Sequence, residues 1–295
     1  VGQGSVLIDM KTEPSNPAAC KICGSNALTI RKHTARCKRC GVLLYYPYPD
    51  DAELSNSAAH LNSESAREWY RRSAWSNHEN FTRNLRFAVA SSDAIRSLRV
   101  LDYGCGGGQF ALVAKSQLPF SQVFCTDISD EALLRGWRSV QTQIRFGEFA
   151  QDRNRFDIVF LNNVLEHVND PLDVLRLIRS KLTPNGRIFI DTPKVFWLYP
   201  ISKIVGSTVY EQLLLGTVSL AHLQIWSRRS FKLLLAEAGL KVCKYREAME
   251  YTMPASYYLY TMKINNRVVR FAGEAFYLFR WLSRNKIMAL VSRAP

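Results

Sequence analysis

The sequence predicts an α/β protein: an open sheet with helices on both faces, and a small separate module ahead of it. Three observations carry that prediction. The apolar run 98–101 ends in Asp102, glycines follow on alternate positions at Gly104, Gly106 and Gly108, and residues 110–114 continue as an apolar helical stretch. That is the pattern of a strand, a tight turn and a helix in one βαβ unit. Further apolar runs, at 123–126, from Phe156 onward and at 182–191, alternate with helical stretches such as 172–181, as a largely parallel sheet requires. Near the start, Cys20-Lys-Ile-Cys23 and Cys37-Lys-Arg-Cys40 form two C-x2-C pairs with thirteen residues between them.

Taken in order, residues 1–19 read as a flexible tail around Pro14 and Pro17. Residues 20–48 form a zinc ribbon, with short strands around 28–31 and 42–46. Four thiolates in two tight pairs suit tetrahedral zinc, and with every position filled by cysteine the site is closed and structural. A module this small cannot bury enough apolar surface alone, so the metal supplies much of its folding energy. A disulfide framework is the alternative. The isolated Cys105, Cys125 and Cys243 read as buried small apolar residues. Residues 49–97 are a linker and pre-domain helices: Pro47 to Asp51 make a rigid turn, and Trp69, Arg72, Trp75, Phe81, Leu85, Ala88 and Val89 recur at helical spacing over 64–96. The main domain spans 98–295. Within it, 227–238 reads as a capped helix, Gly239 as its stop, and 286–292 as the last strand. Two segments exceed a minimal sheet, 195–226 and 251–285. Both follow strands and are dense in aromatics, so they predict a lid over a substrate pocket, with Tyr199, Tyr210, Tyr257 and Tyr258 as substrate contacts.

The run from Val100 to Phe110 resembles the cofactor turn of the class I S-adenosylmethionine-dependent methyltransferases. The resemblance extends through Asp127 after the second strand, Gly147-Glu148-Phe149, the segment F-D-I-V-F-L-N-N-V-L-E-H-V-N-D-P over 156–171, and L-T-P-N-G-R-I-F-I-D over 182–191. It implies a Rossmann-like seven-stranded sheet and S-adenosyl-L-methionine as cofactor. Asp102, Gly104, Cys105, Gly106 and Gly108 would form the turn against the cofactor. Asp127 would bond the ribose hydroxyls, with Ile128 beside it. Glu148 and Phe149 would face the adenine, and Asn162 and Asn163, at the end of the fourth strand, would also contact the cofactor. His167 sits in an E-H-V segment similar to that of ubiquinone-pathway O-methyltransferases, whose further upstream acid is Asn163 here, which argues against a catalytic metal. His222 lies where many small-molecule methyltransferases of this group carry a substrate-facing histidine. His222 and His167 are thus the candidate bases, alongside structural readings for each.

Among the 295 residues, 39 Lys and Arg stand against 25 Asp and Glu, a formal charge of +14. That charge favours an anionic partner. The implied acceptor is a small or lipid-linked hydroxylated molecule, a sugar or other biosynthetic metabolite, anionic, methylated on oxygen or carbon. The basic aromatic stretch 263–284 also suits peripheral contact with an anionic membrane, so the expected location is cytoplasmic with membrane association. The alternative is an RNA methyltransferase whose ribbon (Lys21, Arg31, Lys32, Arg36, Lys38, Arg39) grips nucleic acid. A second is a cofactor-binding module without activity. No stretch is long and apolar enough to span a bilayer: Lys203, Gly206, Glu211, Gly216 and His222 interrupt the most apolar one.

Overall fold

The computed structural model describes residues 19–31, 33–49, 71–90, 96–128, 142–195, 222–249 and 284–295, with positions 53, 68, 93 and 267. The middle of the main sheet is assembled from strands whose residues are buried on both faces. Strand β4 (Arg99–Tyr103) buries Val100 and Leu101 completely, and β7 (Phe156–Asn162) does the same with Ile158, Val159, Phe160 and Leu161. Continuous Val/Ile/Leu/Phe runs are what a sheet covered by helices on both sides demands. With β5 (Gln122–Thr126), β6 (Thr142–Gln143), β8 (Leu182–Pro193), β10 (Leu240–Ala248) and β11 (Lys286–Arg293), the order across the sheet is β6-β5-β4-β7-β8-β11-β10. The five strands from β6 to β8 are mutually parallel, and β11 runs antiparallel between β8 and β10. Strand order reverses between β4 and β7. The crevice beyond their carboxyl ends is therefore the place for a ligand in this topology.

One face of the sheet is covered by α1 (Ala74–Ala88) and α2 (Gln109–Gln117). Phe81 of α1 meets Phe110 of α2 edge-on, and Phe110 continues into Phe160 and Phe189 of the sheet at centroid distances of 4.5 and 5.4 Å. The pre-domain helix expected over 64–96 is described from residue 71 and stops at Ala88, where extended Val89 caps it. The short α3 (Phe146–Phe149) precedes β7. The opposite face carries α4 (Pro171–Ser180) and α5 (Arg228–Glu237). Both have strong starts. Asp170 accepts from the N–H groups of Leu172 and Asp173 ahead of α4, and Ser227 and Ser230 form a reciprocal capping box on α5. Gly239, at φ 66°, ends α5 and leads into β10.

The N-terminal module is a sheet of its own: β1 (Leu28–Arg31), β2 (Thr34–Cys37) and β3 (Leu43–Tyr45), antiparallel throughout. Its fourth strand, β9 (Gln224–Ile225), comes from the main domain and pairs Leu43 with Ile225 and Leu44 with Gln224. The tail of the expected lid segment 195–226 therefore completes the ribbon instead. The ribbon's Val42 and Leu44 join the same buried cluster as Trp226 and Phe231, so module and domain share a core. The rest of that segment, 196–221, and nearly all of 251–283 lie outside the described residues, and with them Tyr199, Tyr210, Tyr257 and Tyr258.

Candidate active site

Strands β4 and β5 are parallel and in register, pairing Asp102 with Cys125 and Tyr103 with Thr126. They therefore bring Asp102 and Asp127 to the same edge. The chain then turns sharply. Gly104 and Cys105 both donate to the carbonyl of Thr126, at 2.8 and 3.2 Å. Gly104, Gly106 and Gly108 have φ of 74°, 49° and 74°, backbone that side-chain-bearing residues resist. A Cβ on Gly104 would fall 2.8 Å from Val164 Cγ2, so the turn lies flat against the loop after β7. The amide of Gly106 donates to Asp127 Oδ2 at 2.8 Å, which aims that carboxylate across the mouth of the turn. Ile128 stands exposed next to it.

Asp102 is 2 % exposed. Burial pushes its carboxyl up to about 7, the charge of Asp127 adds to the rise, and the Asn162 side chain opposes it. A neighbouring cation would reverse that rise. Close by, Thr126 Oγ1 and Asn162 Nδ2 are buried with no hydrogen-bond partner among the described residues. Closely approachable backbone, two carboxylates and unsatisfied polar atoms at one switch point fit S-adenosylmethionine, which offers a cationic amino-acid end and ribose hydroxyls. Two other expected contacts are placed differently. Phe149 is 1 % exposed and packs edge-on to Tyr103 at 5.4 Å, so its ring is a core element beneath the site. Glu148 points outward toward Arg145, 3.7 Å away. Cys105 is half-buried, and its neighbour Cys125 together with burial pushes its thiol upward, which keeps it protonated rather than nucleophilic. Cys125 is buried as expected, whereas Cys243 is exposed on the edge strand β10, where its side chain meets Ser292.

A second cluster lies just past β7. The rings of His167 and His222 lie 4.9 Å apart between centroids, tilted by 40°. Behind them, Glu166 is fully buried: Thr192 donates to its Oε2 at 2.9 Å, and its Oε1 lies 3.9 Å from His167 Nε2 with no hydrogen bond of its own. Burial pushes this carboxyl upward, opposed by the charges of His167 and Lys286. One ligand-type atom from each of Glu166, His167 and His222 lies within 4.8 Å of the others. The loop is clamped by β9, whose Gln224 side chain donates to the carbonyls of Leu165 and Val168 while Leu223 N–H donates to Glu166 O at 2.7 Å. Asn163, at φ 55°, accepts from Lys286 Nζ, so an internal bond occupies the position expected of a metal-assisting acid.

Sequence reasoning singled out neither Glu166 nor a buried polar bridge beside it. Asn84 of α1 donates to Asn162 Oδ1 at 3.0 Å and to Asp191 Oδ2 at 2.9 Å, and Arg83 reaches the same carboxylate oxygen at 3.5 Å. A readable signal existed: Asn77, Asn80 and Asn84 form a polar stripe at helical spacing.

In the ribbon, Cys20 and Cys40 sulfurs are 3.7 Å apart and those of Cys23 and Cys37 are 3.6 Å apart. Sulfurs about 2.3 Å from a tetrahedral metal would be separated by about 3.8 Å. The four thus fit one zinc ion, and none is disulfide-bonded. The turns that bend each pair close through Gly24 N–H to Cys20 O and Gly41 N–H to Cys37 O. Lys21, exposed, reaches across to the main domain, donating to Asn169 at 2.7 Å and lying 4.1 Å from the Tyr48 ring centroid.

The family described as "Methyltransferase domain" matches residues 51–245. A ubiquinone biosynthesis O-methyltransferase of Xanthomonas campestris pv. campestris is 35% identical over 139 residues, 43% of this chain and 56% of the relative. The chain thus spans about half the length of that relative. Among solved structures, the mitomycin 7-O-methyltransferase MmcR superposes with a TM-score of 0.50 at 18% identity, covering 79% of this chain and 59% of that one. The pyocyanin biosynthetic protein PhzM gives 0.51 at 14% identity, covering 80% and 61%. These two likenesses concern the fold.

Proposed function

The chain belongs to the methyltransferase domain family, and from that premise we propose that this S-adenosylmethionine-dependent methyltransferase acts on a hydroxyl oxygen of a small biosynthetic metabolite, with His222 taking the proton. The observation that carries the proposal is the close approach of the His222 and His167 rings, 4.9 Å between centroids and tilted by 40°, beside the buried Glu166, at the carboxyl end of the strand next to the glycine turn. When bound, S-adenosylmethionine supplies a methyl group made electrophilic by its sulfonium. The turn from Asp102 to Gly108 and the carboxylate of Asp127 hold and orient it. A hydroxyl must lose its proton as the new bond forms, and a neutral imidazole suits that task near pH 7. His167, next to a carboxylate with one unsatisfied oxygen, would stabilise the charge that His222 gains. The O-methyltransferase name of the Xanthomonas relative agrees with oxygen as the acceptor atom. The ribbon would hold one structural zinc through Cys20, Cys23, Cys37 and Cys40.

Two variants test the reading. Gly106→Arg fills the turn and should abolish binding of S-adenosylhomocysteine in calorimetry; unchanged affinity would overturn the cofactor assignment. His222→Ala should cut turnover by roughly 10²–10⁴-fold with little change in cofactor affinity. A lower melting temperature with turnover spared would instead make His222 a purely structural residue.

A further inference from the structure

Four arginines converge on the outer edge of the main sheet, where β10 ends and β11 begins. Arg83 of α1, Arg228 of α5, Arg246 of β10 and Arg284 line a cleft of about 550 Å³, with Tyr245 and Glu247 beside them. The acid is already committed: Glu247 accepts from Lys194, from Arg228 at 3.0 Å and from the Tyr245 hydroxyl at 3.1 Å. Arg83 is engaged by Asn84 and Asp191. Arg246 and Arg284 are exposed, and their guanidinium groups have no ion pair with any described residue. With Lys194 and Lys286, which pair with Glu247 and Asp191, six cations thus face these two carboxylates, so positive charge is left in surplus around one concave surface. A concave surface of one sign concentrates a counter-charge. Guanidinium forks match the oxygens of a phosphoryl group in geometry as well as charge.

The cleft opens at the carboxyl ends of β8 and β10, the side of the sheet on which the glycine turn lies. A polar bridge joins the two, running from Arg83 through Asp191, Asn84 and Asn162 to the neighbourhood of Asp102. We infer that this arginine cleft seats a phosphate or diphosphate carried by the methyl acceptor, with Arg246 and Arg284 as its principal ligands. The acceptor is thereby a soluble phosphorylated or diphosphate-bearing metabolite. The inference rests on the methyl-transfer reading and deepens it.

The test is calorimetric titration of the full chain, saturated with S-adenosylhomocysteine, with inorganic pyrophosphate. The wild-type protein should bind pyrophosphate. The Arg246→Gln/Arg284→Gln variant should bind it about tenfold or more weakly, as the loss of charge-assisted bonds requires. Arg246→Gln alone should fall between the two, and Arg229→Gln, on the same surface but outside the cleft, should match wild type. S-adenosylhomocysteine affinity should stay constant across the set. Absence of pyrophosphate binding in wild type, or equal weakening in the Arg229 control, overturns the cleft assignment. Failure of wild type to bind S-adenosylhomocysteine would instead overturn the cofactor reading on which it rests. In a parallel arm, cosedimentation with phosphatidylglycerol vesicles that needs Arg246 and Arg284, without pyrophosphate binding, would reassign the cleft to a lipid surface and reject the inference.

Discussion

Asp102 sits where two requirements meet. Its burial is useful to a ligand that brings a positive charge and costly to the free protein at neutral pH. With a carboxyl raised to about 7 from an ordinary value of 3.8, Asp102 contributes stability that is complete below that ordinary value and is lost as pH rises through about 7. A bound ammonium or sulfonium favours the carboxylate and pulls the value back down. Binding of S-adenosylhomocysteine, whose amino group is cationic, should therefore release a fraction of a proton near pH 6. Calorimetry in two buffers of different ionisation enthalpy measures it, and Asp102→Asn should abolish the release. Proton uptake in the wild type would contradict the placement of the ligand's charge. Glu166 shows where residue-scale reading ran short. The dipeptide with His167 is visible in the sequence, but a glutamate after a strand ordinarily faces solvent, and only the packed structure shows this one sealed behind Thr192.

At the scale of elements, the strands of the main sheet were legible because central strands are written locally, as unbroken apolar runs. Those expected at 98–101, 123–126, 182–191 and 286–292 appear as β4, β5, β8 and β11 within a few residues. Strand β9 was not legible: two residues carry no period, and their partner lies in another part of the chain. That pairing changes what the ribbon is expected to do. A metal site on an independent module could be lost without consequence for chemistry. Here the strand that completes the ribbon is the one whose Gln224 holds the His167 loop. Cys20→Ser should remove the zinc by elemental analysis, lower the melting temperature, and reduce turnover while leaving S-adenosylhomocysteine affinity largely intact, since β4 and β5 pair within the main sheet and not with the ribbon. The absence of zinc in wild-type protein purified without chelators would refute the site.

For the whole molecule, the charge of +14 was legible as a number and illegible as a place. The structure locates one concentration of it at the edge of the sheet, around Arg83, Arg228, Arg246 and Arg284. In the ribbon, Lys21 bonds Asn169 of the main domain and lies over the Tyr48 ring, so one of its cations serves the docking of the module. A gel shift with total RNA at physiological salt should accordingly show only weak retention that fades steeply as salt rises. Tight binding at physiological salt would favour RNA as the acceptor. No helix among the described residues is long and apolar enough to cross a membrane. The shared ribbon sheet also sets an order of events during synthesis. The cysteine knuckles can close around their metal as soon as Cys40 has emerged, but the outer edge of β3 must wait for Gln224 and Ile225. At ordinary ribosomal speed the intervening stretch takes about 10–40 s to make. Through that interval Leu43, Leu44 and Tyr45 form an open strand edge, available to any other extended segment. The ribbon is made early and finished late, and a nascent chain stalled between the two would be prone to stick.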